Sequence, residues 1–186
     1  NAVSIATNGR YVFVAYGTSG IYRVDAASPA SATQIATVSG SNSCNGVWFN
    51  NGRLFASQAV GIINEVTETT STVLATAYSA SQNYALMTMN DSTHMMRYTP
   101  NWTWTASEAL GPCHYFAGYY NDKSLIYKTT LADTQTTKLS ACTVALQMPD
   151  GEYVTCLNAY LGYLFVGTSK GVRMAQQEND GSLTLG

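Results

Sequence analysis

The chain has 186 residues, of which 46% are apolar and only 11% charged, against about 25% charged in an ordinary soluble domain. That is enough chain for one well-buried core, and Ser, Thr, Asn and Gln supply 60 of the 186 residues, so the polar surface is built from hydroxyls and amides. Fifteen Gly, 13 Tyr and few Glu, Lys or Arg exclude a helical bundle, a net charge of -2 gives no electrostatic reason to bind nucleic acid or anionic lipid, and no apolar run approaches the roughly 20 residues of a membrane span.

In chain order, the first clear unit is Tyr11–Tyr16, a turn at Gly17–Gly20, and Ile21–Ala26. Leu54–Ala59, Gly61, Ile62–Thr67 and Thr72–Tyr78 repeat that pattern and extend it to a third strand. Ser79–Gly111 is the least regular stretch, and within it Trp102-Thr103-Trp104 reads as a strand or loop with two tryptophans on one face. Phe116–Tyr120, the turn Asn121–Lys123, Ser124–Leu131 and Thr136–Ala141 form the meander again. Each turn is rich in Gly, Asn and Asp because hairpin turns need residues that accept positive φ.

The repetition extends to particular residues. Asn8-Gly9-Arg10-Tyr11-Val12-Phe13 recurs as Asn51-Gly52-Arg53-Leu54-Phe55, and Tyr163-Leu164-Phe165-Val166-Gly167-Thr168 matches Tyr11–Thr18 once a gap is allowed. Tyr11 and Tyr163 are 152 positions apart, which divides into four intervals of 38, with weaker copies at Tyr84–Met89 and Tyr115–Tyr120. Strands of five to eight residues recurring every ~40 residues, three or four to a unit, are what propeller blades require. The expectation is a single all-β domain over residues 1–186, a β-propeller of antiparallel meander sheets with four to five blades of a larger ring. A chain stopping at Ser182–Leu185 is expected to end mid-blade, with no pairing between Val3–Thr7 and Ser182–Leu185.

Signals for chemistry are sparse. Gly167-Thr168-Ser169-Lys170-Gly171 has the Gly-x-Ser-x-Gly spacing of a nucleophile elbow, but that elbow needs a following helix and a later histidine. Strand-like residues follow and no histidine does, so a hairpin turn is expected. Glu65 and Glu108 are a nominal carboxylate pair that nothing selects. Cys113 and His114, as neighbours on a strand, point to opposite faces. No cofactor or metal is expected, and no catalytic residue is assigned. The four cysteines Cys44, Cys113, Cys142 and Cys156 leave three pairings open. Cys142 and Cys156 alone can be placed, flanking Pro149-Asp150-Gly151, and would lie close together if that turn closes a hairpin.

The aromatic side chains are the best candidates for a binding surface. Trp102, Trp104, Tyr119 and Tyr120 would offer rigid apolar area with a polar handle, suited to a sugar ring or a protein partner. The competing use of the same side chains is to fill the space between blades.

Three resemblances rest on particular residues. Leu164-Phe165-Val166-Gly167-Thr168-Ser169-Lys170-Gly171-Val172 resembles propeller repeats of the two-component-regulator and Leu-Val-Ile-Val-Asp types, and Ser19-Gly20-Ile21-Tyr22-Arg23-Val24-Asp25-Ala26-Ala27-Ser28-Pro29 is similar to the second, with its aspartate followed by Ser-Pro; these carry a blade and no activity. Tyr160–Gly186, with Gly-Thr-Ser-Lys-Gly-Val-Arg before Asn179-Asp180-Gly181-Ser182-Leu183, is similar to propeller-containing tail proteins of tailed bacteriophages. That resemblance implies a non-catalytic virion component, structural or adsorptive. Its partners would be other tail proteins or copies of itself, and a glycan or protein of the host cell surface. The alternative is a secreted, extracellular propeller that binds or hydrolyses glycans.

Overall fold

The computed structural model of the chain describes residues 1–36, 43–58, 62–66, 73–78, 102–130 and 143–186. These residues form sixteen strands in four antiparallel four-stranded sheets. The first sheet is β1 (Ser4–Thr7), β2 (Tyr11–Ala15), β3 (Ile21–Asp25) and β4 (Ser28–Ala36); the second is β5 (Cys44–Asn50), β6 (Arg53–Gln58), β7 (Ile62–Val66) and β8 (Val73–Tyr78). The third is β9 (Thr103–Leu110), β10 (Cys113–Tyr120), β11 (Lys123–Thr130) and β12 (Thr143–Gln147), and the fourth is β13 (Val154–Tyr160), β14 (Tyr163–Thr168), β15 (Gly171–Gln177) and β16 (Leu183–Leu185). Every sheet is a simple meander in chain order. The first strands of consecutive sheets adjoin, β1 against β5, β5 against β9 and β9 against β13, which is how propeller blades succeed one another around an axis.

The turns explain why the chain reverses where it does. Asn51, Asn121 and Leu161 take positive φ at hairpin tips, and Gly9, Gly52, Gly111 and Gly162 do the same in the turns joining the first and second strands of each sheet. Gly and Asn tolerate that region at small steric cost, so the repeated Asn-Gly is a backbone requirement. The Gly167–Gly171 segment is the expected hairpin: β14 ends at Thr168, Ser169 and Lys170 turn, and β15 starts at Gly171.

Two expectations are corrected. The chain does not end mid-blade, because Leu183–Leu185 is the fourth strand of a four-stranded sheet. Pro149-Asp150-Gly151 closes no hairpin: β12 and β13, on either side of it, belong to different sheets, so it is a connection between blades. Tyr84–Met89, Thr136–Ala141 and Cys142 lie outside the described residues. The ends behave as expected, with β1 hydrogen-bonded to β2 and β16 to β15, in separate sheets.

Packing between blades makes the core. Phe13, Ala15 and Ile21 meet Cys44, Val47, Leu54 and Ala56 between the first two sheets. Phe55 meets Trp102, Trp104, Phe116 and Tyr127 between the second and third. Tyr115, Ala117 and Ile126 meet Leu157, Leu164, Val166 and Ala175 between the third and fourth. Each internal blade therefore alternates its side chains between two apolar neighbours, which the period of two in a strand allows.

Gly118 shows how tightly this fits. A Cβ there would come within 2.5 Å of Trp102 Nε1 and 2.6 Å of the Thr103 carbonyl oxygen. Because the second of these is backbone, it cannot swing aside. Gly118→Ala is expected to cost about 1–3 kcal/mol, seen as a lower urea midpoint with an unchanged slope; a midpoint equal to wild type would contradict the packing described.

Candidate functional site

The four aromatics proposed as a contact surface separate into two groups. Trp102 and Trp104 are 3% and 4% exposed, with rings 5.6 Å apart and both edge-on to Tyr127. They share a face as expected, but that face is turned to the second blade, so they fill the space between blades and offer no surface. The physical reason is that β9 is an inner strand with a blade on either side, where large rings gain most by burial.

Tyr119 and Tyr120 are half-buried at the end of β10 and face opposite ways, Tyr120 packing against the cluster of Phe55, Trp102 and Trp104. The Tyr119 ring lies 5.2 Å from that of Tyr153, on the connection entering the fourth blade. Lys123 Nζ donates to Asp150 Oδ1 at 2.5 Å beside them, and the Gly151 amide donates to the Asp122 carbonyl at 3.0 Å. The Asp150 carboxylate holds the Lys123 amine above its usual range. This end of the third blade thus presents tyrosines, a cation and carboxylates on two connections pinned together, a surface suited to hydrogen bonding and ring stacking.

A second group escaped the sequence reading. Ser107 Oγ is 2.8 Å from His114 Nε2, and Asn50 Nδ2, from the neighbouring blade, donates to Ser107 Oγ at 3.2 Å and approaches Nε2 at 3.4 Å. Nε2 thus has two polar neighbours, whereas Nδ1 is buried without a hydrogen-bond partner. The imidazole lies between Phe55 and Phe116, at 4.3 Å and 4.9 Å. Burial, and secondarily the Arg53 cation, lower its pKa from 6.5 to about 3. A serine beside a histidine is a nucleophile only where substrate can reach it; here Ser107 is 5% and His114 0% exposed, so the group ties two blades together. The signal was present: with Gly111-Pro112 as a two-residue turn, Ser107 falls opposite Phe116 and diagonal to His114 on one face.

The remaining polar groups also serve as ties. Glu152, with its side chain 2% exposed, accepts from Arg173 Nε and Nη2 at 2.7 and 2.6 Å and from Thr168 Oγ1 at 2.7 Å. Arg173 first, and Thr168 second, hold its carboxyl down from 4.5 to about 2. Between the third and fourth blades Tyr115 Oη donates to the Gly181 carbonyl at 2.8 Å and accepts from Gln177 Nε2 at 2.6 Å. Lys128 Nζ reaches both the Asp180 carbonyl and its carboxylate. Cys44, Cys113 and Cys156 are free thiols, and burial raises that of Cys44 to about 11. Among the described residues no three His, Cys, Asp or Glu side chains are grouped to hold a metal ion.

No family model matches the chain, and no curated protein does. Solved structures do. The computationally designed protein Ika4 superposes with a TM-score of 0.57 at 10% identity, over 94% of this chain and 89% of its own. BamB from Moraxella catarrhalis gives 0.56 at 10% identity over 99% of this chain, and the WD40 β-propeller domain of Doa1 gives 0.55 at 10% over 97%. The chain spans 49% and 52% of those two proteins, about half of each. Identities this low speak to the fold alone. Together with four consecutive meander sheets joined first strand to first strand, they establish that the described sheets are blades of a β-propeller.

Proposed function

We propose that the chain is a non-catalytic scaffold of a phage tail, a virion component that contributes to tail architecture or to adsorption at the host cell surface. The observation that carries the non-catalytic part is the use made of the groups that chemistry would need. Glu152 is clamped by Arg173, His114 is sealed between two phenylalanines, and Tyr115 is tied to the next blade. Such groups stiffen blades, and rigid blades present loops to partners. The virion part is supported by the resemblance of Tyr160–Gly186 to phage tail propellers and by a charge-poor surface rich in hydroxyls and amides. The partners are other tail proteins, copies of this chain, and a cell-surface glycan or protein. Tyr119, together with Tyr153, forms the contact surface, while Tyr120 packs inward on the Trp102 and Trp104 cluster.

The test measures binding of the purified chain to bacterial cells and to tail proteins alongside hydrolysis of their polysaccharides. Binding without turnover, weakened several-fold by Tyr119→Ala with the fold intact, is the expected result. Polysaccharide turnover that disappears when a carboxylate such as Glu108 is replaced would instead establish the secreted glycan hydrolase.

A further inference from the structure

The second strands of the four blades carry one pattern facing the next blade: an aromatic, then a small residue two positions on. It reads Phe13 and Ala15, Phe55 and Ser57, Tyr115 and Ala117, Phe165 and Gly167. In the first three blades the aromatic is 0% exposed, seated on the blade that follows. The opposite face of the same strand is also apolar, as Leu54 and Ala56, Phe116, and Leu164 and Val166. Among the described residues two of these faces have no blade against them. Phe165 on the fourth blade is only half-buried, and so are Val12 and Val14 on the first.

The exposed apolar side chains are confined to the same two places. On the first blade they are Val3, Ile5 and Tyr16, at 55%, 70% and 45% exposed. On the fourth they are Tyr160, Tyr163, Val172 and Met174, at 62%, 38%, 74% and 42%, with Leu161 in the hairpin tip between them. Strand register puts Ile5 opposite Val14 on one face, and Met174 opposite Phe165 on the other. Among the residues whose burial is described, no other large apolar side chain is exposed. Apolar area concentrated this way marks an interface.

We infer that these two faces seat on each other between two copies of this chain. The Phe165 face of each copy covers the Val12–Val14 face of the other, as Phe55 seats on the third blade within one copy. A second copy is the occupant because it presents both complementary faces, a second-strand aromatic face of the kind that Phe55 and Tyr115 seat on the next blade and an apolar face of the kind that receives it. The contact is head-to-tail, and two copies give two equal interfaces and a closed ring. This goes beyond the functional reading and does not depend on it: a monomer can still bind cells, and a dimer need not.

The experiment is the solution mass of the purified chain, by light scattering across a concentration series, for wild type, Val172→Glu and Ile5→Glu. Both substituted positions are at least 70% exposed in the single copy, so each variant keeps its cooperative melt. Wild type is expected at twice the chain mass of 20.0 kDa, and each variant alone at the monomer mass. Mixing the two variants is expected to restore a dimer, because one intact interface of the pair remains. A wild-type monomer, whether its ring closes on itself or further blades belong on these faces, overturns the inference. So does a mass that keeps growing with concentration, or a dimer that one variant abolishes and the other leaves untouched.

Discussion

Replacing Phe116 by alanine is expected to be the most damaging single truncation in the interface between the second and third blades, at about 3–5 kcal/mol. Its ring is 0% exposed and touches Phe55 of the second blade, His114 of its own strand and Trp104 of β9, at 5.1, 4.9 and 6.3 Å. Removing it takes away transfer energy and leaves a cavity that Phe55 and Trp104, held by neighbours of their own, cannot collapse into. The reading is a denaturant midpoint and a thermal melt on the same sample. For a chain of this size the loss corresponds to roughly 2–4 °C per kcal/mol. A second consequence is local: the imidazole of His114 loses one of the two rings that shield it, so its pKa should rise toward 6.5. A melt within a degree or two of wild type would mean that Phe116 does not bridge the blades as described.

Acid should destabilise the protein well before its carboxylates titrate. His114 is held neutral in the folded chain, with its pKa lowered to about 3 by burial and by Arg53, whereas in the unfolded chain it titrates near 6.5. A depressed histidine pKa means the unfolded state takes up the proton first. Folding stability from this group is therefore complete above 6.5 and falls as pH drops toward the folded value, at up to about 1.4 kcal/mol per pH unit. Glu152 and Asp180, both lowered to about 2, by Arg173 and Ser182 respectively before any other group, keep their contribution above the ordinary carboxylate values of 4.5 and 3.8 and lose it as pH falls from there toward about 2. Between pH 6.5 and 4.5 the histidine acts alone among these three. Urea midpoints measured across that window should decline for wild type and flatten for His114→Gln, whose amide can still meet Ser107 and Asn50. An equal slope in the two proteins would show that His114 is not the group responsible.

The β class, the hairpin positions and the propeller were legible because each rests on local chemistry. Asn51-Gly52 and Leu161-Gly162 turn where positive φ is affordable only to a few residues, and the aromatic–small alternation of Phe13-Val14-Ala15 and Phe165-Val166-Gly167 is a period-two signal that needs no knowledge of the neighbour. The limits of the blades were less legible. Phe116–Tyr120 and Ser124–Leu131 read as strands and fall on β10 and β11, but β9, which begins one residue after Trp102, lies in the stretch Ser79–Gly111 that reads as least regular. Its Trp-Thr-Trp-Thr alternation states which side chains share a face and nothing about what that face meets.

What the sequence by itself determined is therefore the strand period, the turns and the repetition of one blade unit, since these follow from backbone sterics and side-chain alternation within a few residues. The tertiary structure alone decided the use of each face. It buried Trp102 and Trp104 against Phe55, drew Asn50 of the second blade onto Ser107 and His114 of the third, and clamped Glu152 on Arg173 across the fourth. It also left Ile5 and Val172 outward at the two ends of the arc. An apolar strand face is the same in sequence whether a blade covers it or not, because burial is a property of the neighbour, and the neighbour comes from tens of residues away.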